Sequence, residues 1–136
     1  MKTFGNAHLL VAYYNVASDP AAGAIGTVNL GIVLPPKSAV YLSTIIMRTT
    51  LTSATNVATL SLGTLQIGVN PPAALPQSIM QNLEINNYTL NVSSQGPNSG
   101  VFDFDNNGRY VTMTIGVEKL TGGSLTAQIF YFTTNV

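Results

Sequence analysis

The chain has 136 residues; 46% are hydrophobic and only 7% charged, five Lys or Arg against five Asp or Glu, and there is no cysteine. This composition argues against disorder, which pairs low hydrophobicity with high net charge, and against nucleic acid or an anionic membrane surface as partner, because both need a basic face that five balanced cations cannot make. A disulfide framework and thiolate chemistry are excluded, and Gly, Pro, Asn or a charge cuts every apolar run well short of the roughly 18 residues of a membrane-crossing helix.

Along the chain the dominant period is two. Lys2 followed by the apolar stretch from His8 to Tyr14 loosely imitates a leader peptide, but Tyr13, Tyr14 and Asn15 interrupt it, and residues 7–17 read as a first strand. In 25–34, Val28, Leu30, Ile32 and Leu34 share one face; Thr27, Asn29 and Gly31 take the other. Residues 39–51 form a long third strand. Residues 57–69 form a fourth, whose apolar parity switches at Gly63-Thr64, so a bulge or a corner is expected there.

The one helix candidate is Pro76 to Glu84, with Ile79, Met80 and Leu83 on one side; it is short enough to count as a connection. Strands over 85–93, 100–105, 109–117 and 124–134 complete about eight. The last is apolar on both faces near its end, which calls for cover on both sides. Turn chemistry punctuates the chain at Asp19-Pro20, Pro35-Pro36, Ser53 to Asn56, Pro71-Pro72, Gly96-Pro97-Asn98, Asn106-Asn107-Gly108 and Gly122-Gly123. Strict alternation with dense turns predicts an all-β chain, an antiparallel β-sandwich built as a single jelly roll of about eight strands, in one domain over 1–136.

Chemistry is scarce. His8 is the only histidine, so a Ser-His-Asp triad would depend on a residue inside a strand, and no histidine cluster exists for a metal. The carboxylates are Asp19, Glu84, Asp103, Asp105 and Glu118; Asp103 and Asp105 share a strand face, a weak basis for the facing pair of a glycosidase. Asp103-Phe104-Asp105-Asn106-Asn107-Gly108 matches the first half of a calcium loop, with Asp103, Asp105 and Asn107 as ligands. Its closing position falls on Thr114 instead of Glu, and Asn-Gly equally marks a hairpin between Val101–Asp105 and Arg109–Val117. The sequons at Asn87 and Asn91 are no more than chance supplies. No catalytic, cofactor or metal residue is assigned, and no enzymatic activity is expected.

Neutral polar groups take the place of charge: 16 Thr, 13 Asn and 10 Ser. Ten charges spread over the roughly 6,800 Å² of a folded chain this size would leave a monomer prone to associate. A homo-oligomer, a trimer or pentamer, or a larger assembly would cover that surface. Tyr13, Tyr14, Tyr88, Tyr110, Phe130, Tyr131 and Phe132 fit core or subunit interface, since aromatic rings dominate both. The same sandwich also suits a carbohydrate-binding module or adhesin head, using Tyr13, Tyr14 or Asp103 with calcium.

The run Gly26-Thr27-Val28-Asn29-Leu30-Gly31-Ile32-Val33-Leu34-Pro35-Pro36-Lys37-Ser38-Ala39-Val40 resembles a pattern in small bacteriophage virion structural proteins, where a strand and a Leu-Pro turn precede a long strand. Ala58-Thr59-Leu60-Ser61-Leu62-Gly63 follows as it does there, and Leu120 to Phe132 is similar to their closing aromatic hairpin. The resemblance spans most of the chain, from about Thr27 to Phe132. It implies a jelly-roll capsid protein, capsid-decorating protein or spike or fibre head, located in the virion, with other virion proteins as partners and a host glycan as a further ligand. It carries no functional residues. The missing basic arm argues against packaging a genome by charge.

Overall fold

A computed structural model of the chain describes residues 4–85, 91–94, 101–102 and 107–134. The elements run β1 (Phe4–Asn15), a 3-10 turn (Val16–Ser18), β2 (Gly26–Leu34), β3 (Ser38–Ser53), β4 (Thr59–Gln66), β5 (Ala74–Glu84), β6 (Asn91–Ser94), β7 (Val101–Phe102), β8 (Arg109–Gly116) and β9 (Leu120–Thr134). All described pairings are antiparallel. One sheet has the order β1-β9-β3-β6, the other β2-β8-β4-β5. β9 lies along one edge of β3, so β6 and β7 share the other.

Successive strands cross from sheet to sheet, and only β4 and β5 follow one another within a sheet as direct partners. This is jelly-roll wiring, with β6 and β7 together filling one of its eight places. The alternating pattern places the core between the sheets. Val111, Met113 and Ile115 of β8 face Leu125, Ala127 and Ile129 of β9, with Ile45, Met47, Leu60 and Leu62 around them, all buried. Each of the larger side chains contributes roughly 1.5–3 kcal/mol by leaving water.

Four sequence expectations are corrected. Pro76–Glu84 is no helix; it belongs to β5. Leu60 faces Leu83 while Leu62 faces Met80, so three steps of β5 match two of β4. That extra residue, with Asn82 at φ 50, puts Met80 and Leu83 on one face; a second slip follows, where five steps of β5 match two of β4, and with Ile79 also buried the three imitate helical spacing. The irregularity expected at Gly63-Thr64 lies on the β5 side and not in β4: β4 pairs with β8 without a slip from Thr59↔Gly116 to Gln66↔Arg109, while its register with β5 shifts between Leu62↔Met80 and Thr64↔Leu75. Gly63 instead lies under β5, where a Cβ would run into the Leu75 carbonyl and Pro76.

No hairpin joins β7 to β8. β2 and β4 occupy both edges of β8, leaving none for β7, which takes the free edge of β3. Gly122-Gly123 lies within β9, where Gly123 at φ 106 passes close to the Thr50 carbonyl; the turn before it is Val117–Lys119. The expected strands 85–93 and 100–105 survive as β6 and β7, while residues 86–90 and 103–106 fall outside the described residues.

Candidate functional site

The outward face of the β1-β9-β3 sheet carries the exposed side chains of Leu9, Tyr13 and Tyr41. β9 sends Leu125, Ala127, Ile129 and Tyr131 inward, so Thr126, Gln128, Phe130 and Phe132 point out. Register then aligns neighbours across the strands. Leu9 of β1 lies beside Phe130, and Phe130 beside Leu42 of β3. At the same end an extra residue in β3 brings out Tyr41 next to Leu42. Tyr41 stacks on Phe132, with centroids 4.7 Å apart at 30°, and lies 6.2 Å from Phe130. Leu9 is 47% exposed and Tyr13 73%.

The other half of this face is a field of paired hydroxyls and amides. Thr44 Oγ1 donates to Gln128 Oε1 at 2.9 Å, Thr49 and Ser124 share a bond of 2.9 Å, and Thr52 and Thr121 another of 2.9 Å. Arg48 Nε donates to Thr126 Oγ1 at 3.0 Å and is the one charged group that the described residues place here. These cross-strand pairs answer one another's polar atoms and leave a surface whose one charge among the described residues is the Arg48 guanidinium.

Asp19 binds its own turn, and Glu118 binds the connection between β3 and β4. Asp19 Oδ2 accepts the Tyr14 hydroxyl at 2.6 Å and the Gly23 N–H at 3.1 Å, and Oδ1 accepts the Ala21 N–H at 2.9 Å. The Tyr14 bond, with those amides, holds the Asp19 carboxyl below its ordinary value. Burial, with the Asp19 bond and charge, pushes the Tyr14 phenol well up. Glu118 accepts from Ser53 Oγ, Thr55 Oγ1, Thr55 N and Val57 N, and these bonds, Ser53 first, hold its carboxyl down to about 2.

Among the described residues no three His, Asp or Glu side chains gather as a metal would need. Asp103, Asp105 and Asn106 of the calcium-like string lie outside them, and Asn107 donates weakly to the Ile67 carbonyl at 3.5 Å. His8 is exposed and stacks on Tyr131 at 5.2 Å. Tyr14 and Tyr131 are core residues, Tyr110, Phe130 and Phe132 are half-buried, and Tyr88 falls outside the described residues. Tyr13, Tyr14, Asn15, Ser18, Asp19, Pro20 and Val28 line a shallow cleft of about 170 Å³.

The sequence reading missed two residues. Arg109 is a buried arginine, 2% exposed, whose Nε donates to Thr64 Oγ1 at 2.9 Å and whose Nη2 donates to the Ala73 carbonyl at 3.2 Å. Its parity with Val111 and Met113 was the available signal. Val117 is 66% exposed at φ 69, a costly backbone for a β-branched residue, and no local pattern announces it.

No protein-family model matches the sequence, and no curated protein matches it. Solved structures do match the fold. A chain in the capsid of Ralstonia phage GP4 superimposes with a TM-score of 0.67 at 15% identity, covering 98% of this chain and 88% of that one. A chain from the acidic stable capsid structure of Helicobacter pylori bacteriophage KHP30 gives 0.63 at 12%, covering 100% and 98%. One from the cyanophage Pam1 capsid asymmetric unit gives 0.62 at 14%, covering 96% and 86%. The shared property is the all-β sandwich, along nearly the whole of each chain.

Proposed function

We propose that this chain is a virion structural protein, a capsid, capsid-decorating or spike or fibre-head component, which works by associating with copies of itself and docking to other shell subunits. The observation that carries this reading is the end-to-end likeness of its fold to chains from three phage capsids. The charge-poor outer face, with Arg48 its one charge among the described residues, supports it. A surface of stacked rings and mutually bonded hydroxyls gains more from a neighbour than from water, and depletion of charge with enrichment of aromatic residues marks the centre of interfaces. In this reading the chain performs no reaction, forms a trimer or pentamer, and contacts neighbours through neutral groups without binding nucleic acid.

Particles made by the genome that encodes the chain provide the test. An antibody against the chain should decorate the shell at symmetry-related positions, and mass spectrometry should find the chain in purified particles. Particles free of it would overturn the reading.

The glycan-binding alternative draws its support from the exposed Tyr13 ring beside the 170 Å³ cleft. Native mass with and without EDTA separates the two. A chelator-insensitive oligomer favours the shell; a monomer stabilised by calcium, or retained on a sugar column, favours the lectin.

A further inference from the structure

The two sheets have four edges: β1 and the β6/β7 pair in one, β2 and β5 in the other. A free edge presents unpaired N–H and C=O groups that template pairing with another chain, and natural proteins blunt it with charge, proline, bulges or brevity. Three of these edges are blunted. β2 carries two extra residues between Asn29 and Val33, with Gly31 at φ 77. β5 slips twice against β4 and contains Pro76, which has no N–H to give. Among the described residues β6 and β7 are four and two residues long.

β1 is different. Ala7 to Asn15 pairs one to one with Phe132 to Ser124 without a slip. These nine residues contain no Gly, no Pro and no Asp, Glu, Lys or Arg. They offer a regular, uncharged edge about 30 Å long.

We infer that β1 pairs edge to edge with β1 of a second copy of this chain, antiparallel about a two-fold axis at Val11. The inference rests on the assembly reading above and specifies one of its contacts. In a two-fold contact the numbers of facing residues have a constant sum. The register that uses all nine residues sets Val11 against itself, Leu9 against Tyr13, Leu10 against Ala12 and His8 against Tyr14. Facing residues then share a sheet face. Leu9, Val11 and Tyr13 of both copies form one apolar row on the outer face, covering side chains that are 47% and 73% exposed at its two ends. No like charges meet, and a large side chain meets a small one at Leu10 and Ala12.

Pairing along one strand buries less than the roughly 800 Å² per partner of a standard interface, so the contact is weak between free copies. It strengthens when other contacts already hold copies together, and so suits a link between neighbouring rings of a shell.

The chain has no cysteine, so an introduced one is its only thiol. Facing Cα atoms in an antiparallel pair are about 4.5–5.5 Å apart, within disulfide reach. The Val11→Cys chain, concentrated and mildly oxidised, should form a disulfide-linked dimer. Leu9→Cys lies about 13 Å from its own counterpart in this register and should cross-link about tenfold more slowly, as should Tyr13→Cys. The double variant Leu9→Cys/Tyr13→Cys should recover the fast rate. Val11 is half-buried and Cys is small and apolar, so circular dichroism should show the fold unchanged. Failure of Val11→Cys to cross-link, or cross-linking of Leu9→Cys at the same rate, overturns the contact. A fast Val11→Cys link in a chain absent from particles overturns the virion reading and leaves the edge contact standing. A chain present in particles without that link overturns the edge contact alone.

Discussion

Ser53 Oγ donates to a carboxylate oxygen of Glu118 at 2.7 Å, joining the end of β3 to the turn between β8 and β9. Thr55 and Val57 add their own bonds, so one half-buried carboxylate ties down a whole connection. Because the folded carboxyl sits near 2 against an ordinary 4.5, its stabilisation is fully present above about pH 4.5 and is lost as pH falls toward 2. Glu118→Gln should lower the Tm at pH 7 and flatten the acid limb of a Tm-against-pH curve. An unchanged acid limb would show that the clamp contributes nothing.

Gly63→Ala should be among the most destabilising small substitutions in the chain. A Cβ there meets backbone of β5, not a side chain that could swing aside. Overpacking of this kind costs about 2 kcal/mol, readable as a lower denaturation midpoint at constant slope.

Val117→Gly should stabilise. The residue is exposed and held at φ 69, so little packing is lost and backbone strain of about 1 kcal/mol is released. Urea unfolding of the two proteins compares them directly.

Thr112 is 1% exposed, and its hydroxyl has no hydrogen-bond partner among the described residues. Thr112→Val keeps the shape and removes the buried polar atom. A gain of about 1 kcal/mol is expected in the same assay.

Tyr13→Ser with Tyr41→Ser should leave folding nearly intact, costing less than about 1 kcal/mol, because both rings lie on the outward face. The double variant should sediment as a smaller species than the parent at equal concentration. An unchanged sedimentation profile would remove this face from self-association.

Strand identity was legible wherever burial follows pairing without interruption. β2, β8 and β9 were readable residue by residue because each has one face on the core. Even the two-residue insertion in β2 left its alternation intact, since an even slip preserves parity. β5 was illegible because its insertion is odd, and an odd slip turns a period of two into an imitation of three and four. The absent β7–β8 hairpin shows the second limit. Asn107-Gly108 does provide a sharp turn, with Gly108 at φ 73, but which sheet the chain enters next depends on which edges are already taken.

The charge-poor outer face was visible in the composition, but its aromatic patch needed the register. Tyr41 precedes Phe130 by 89 residues and Phe132 by 91, and only the β3–β9 pairing makes the three one patch.

β9 comes after both of its neighbours, β1 and β3, and lies between them. The row of Leu9, Phe130 and Leu42 therefore does not exist until the latest strand has threaded into the middle of its sheet. A chain without β9 in place lacks this row. In the assembly proposed above, only a chain with its last strand in place would present this row to a neighbour.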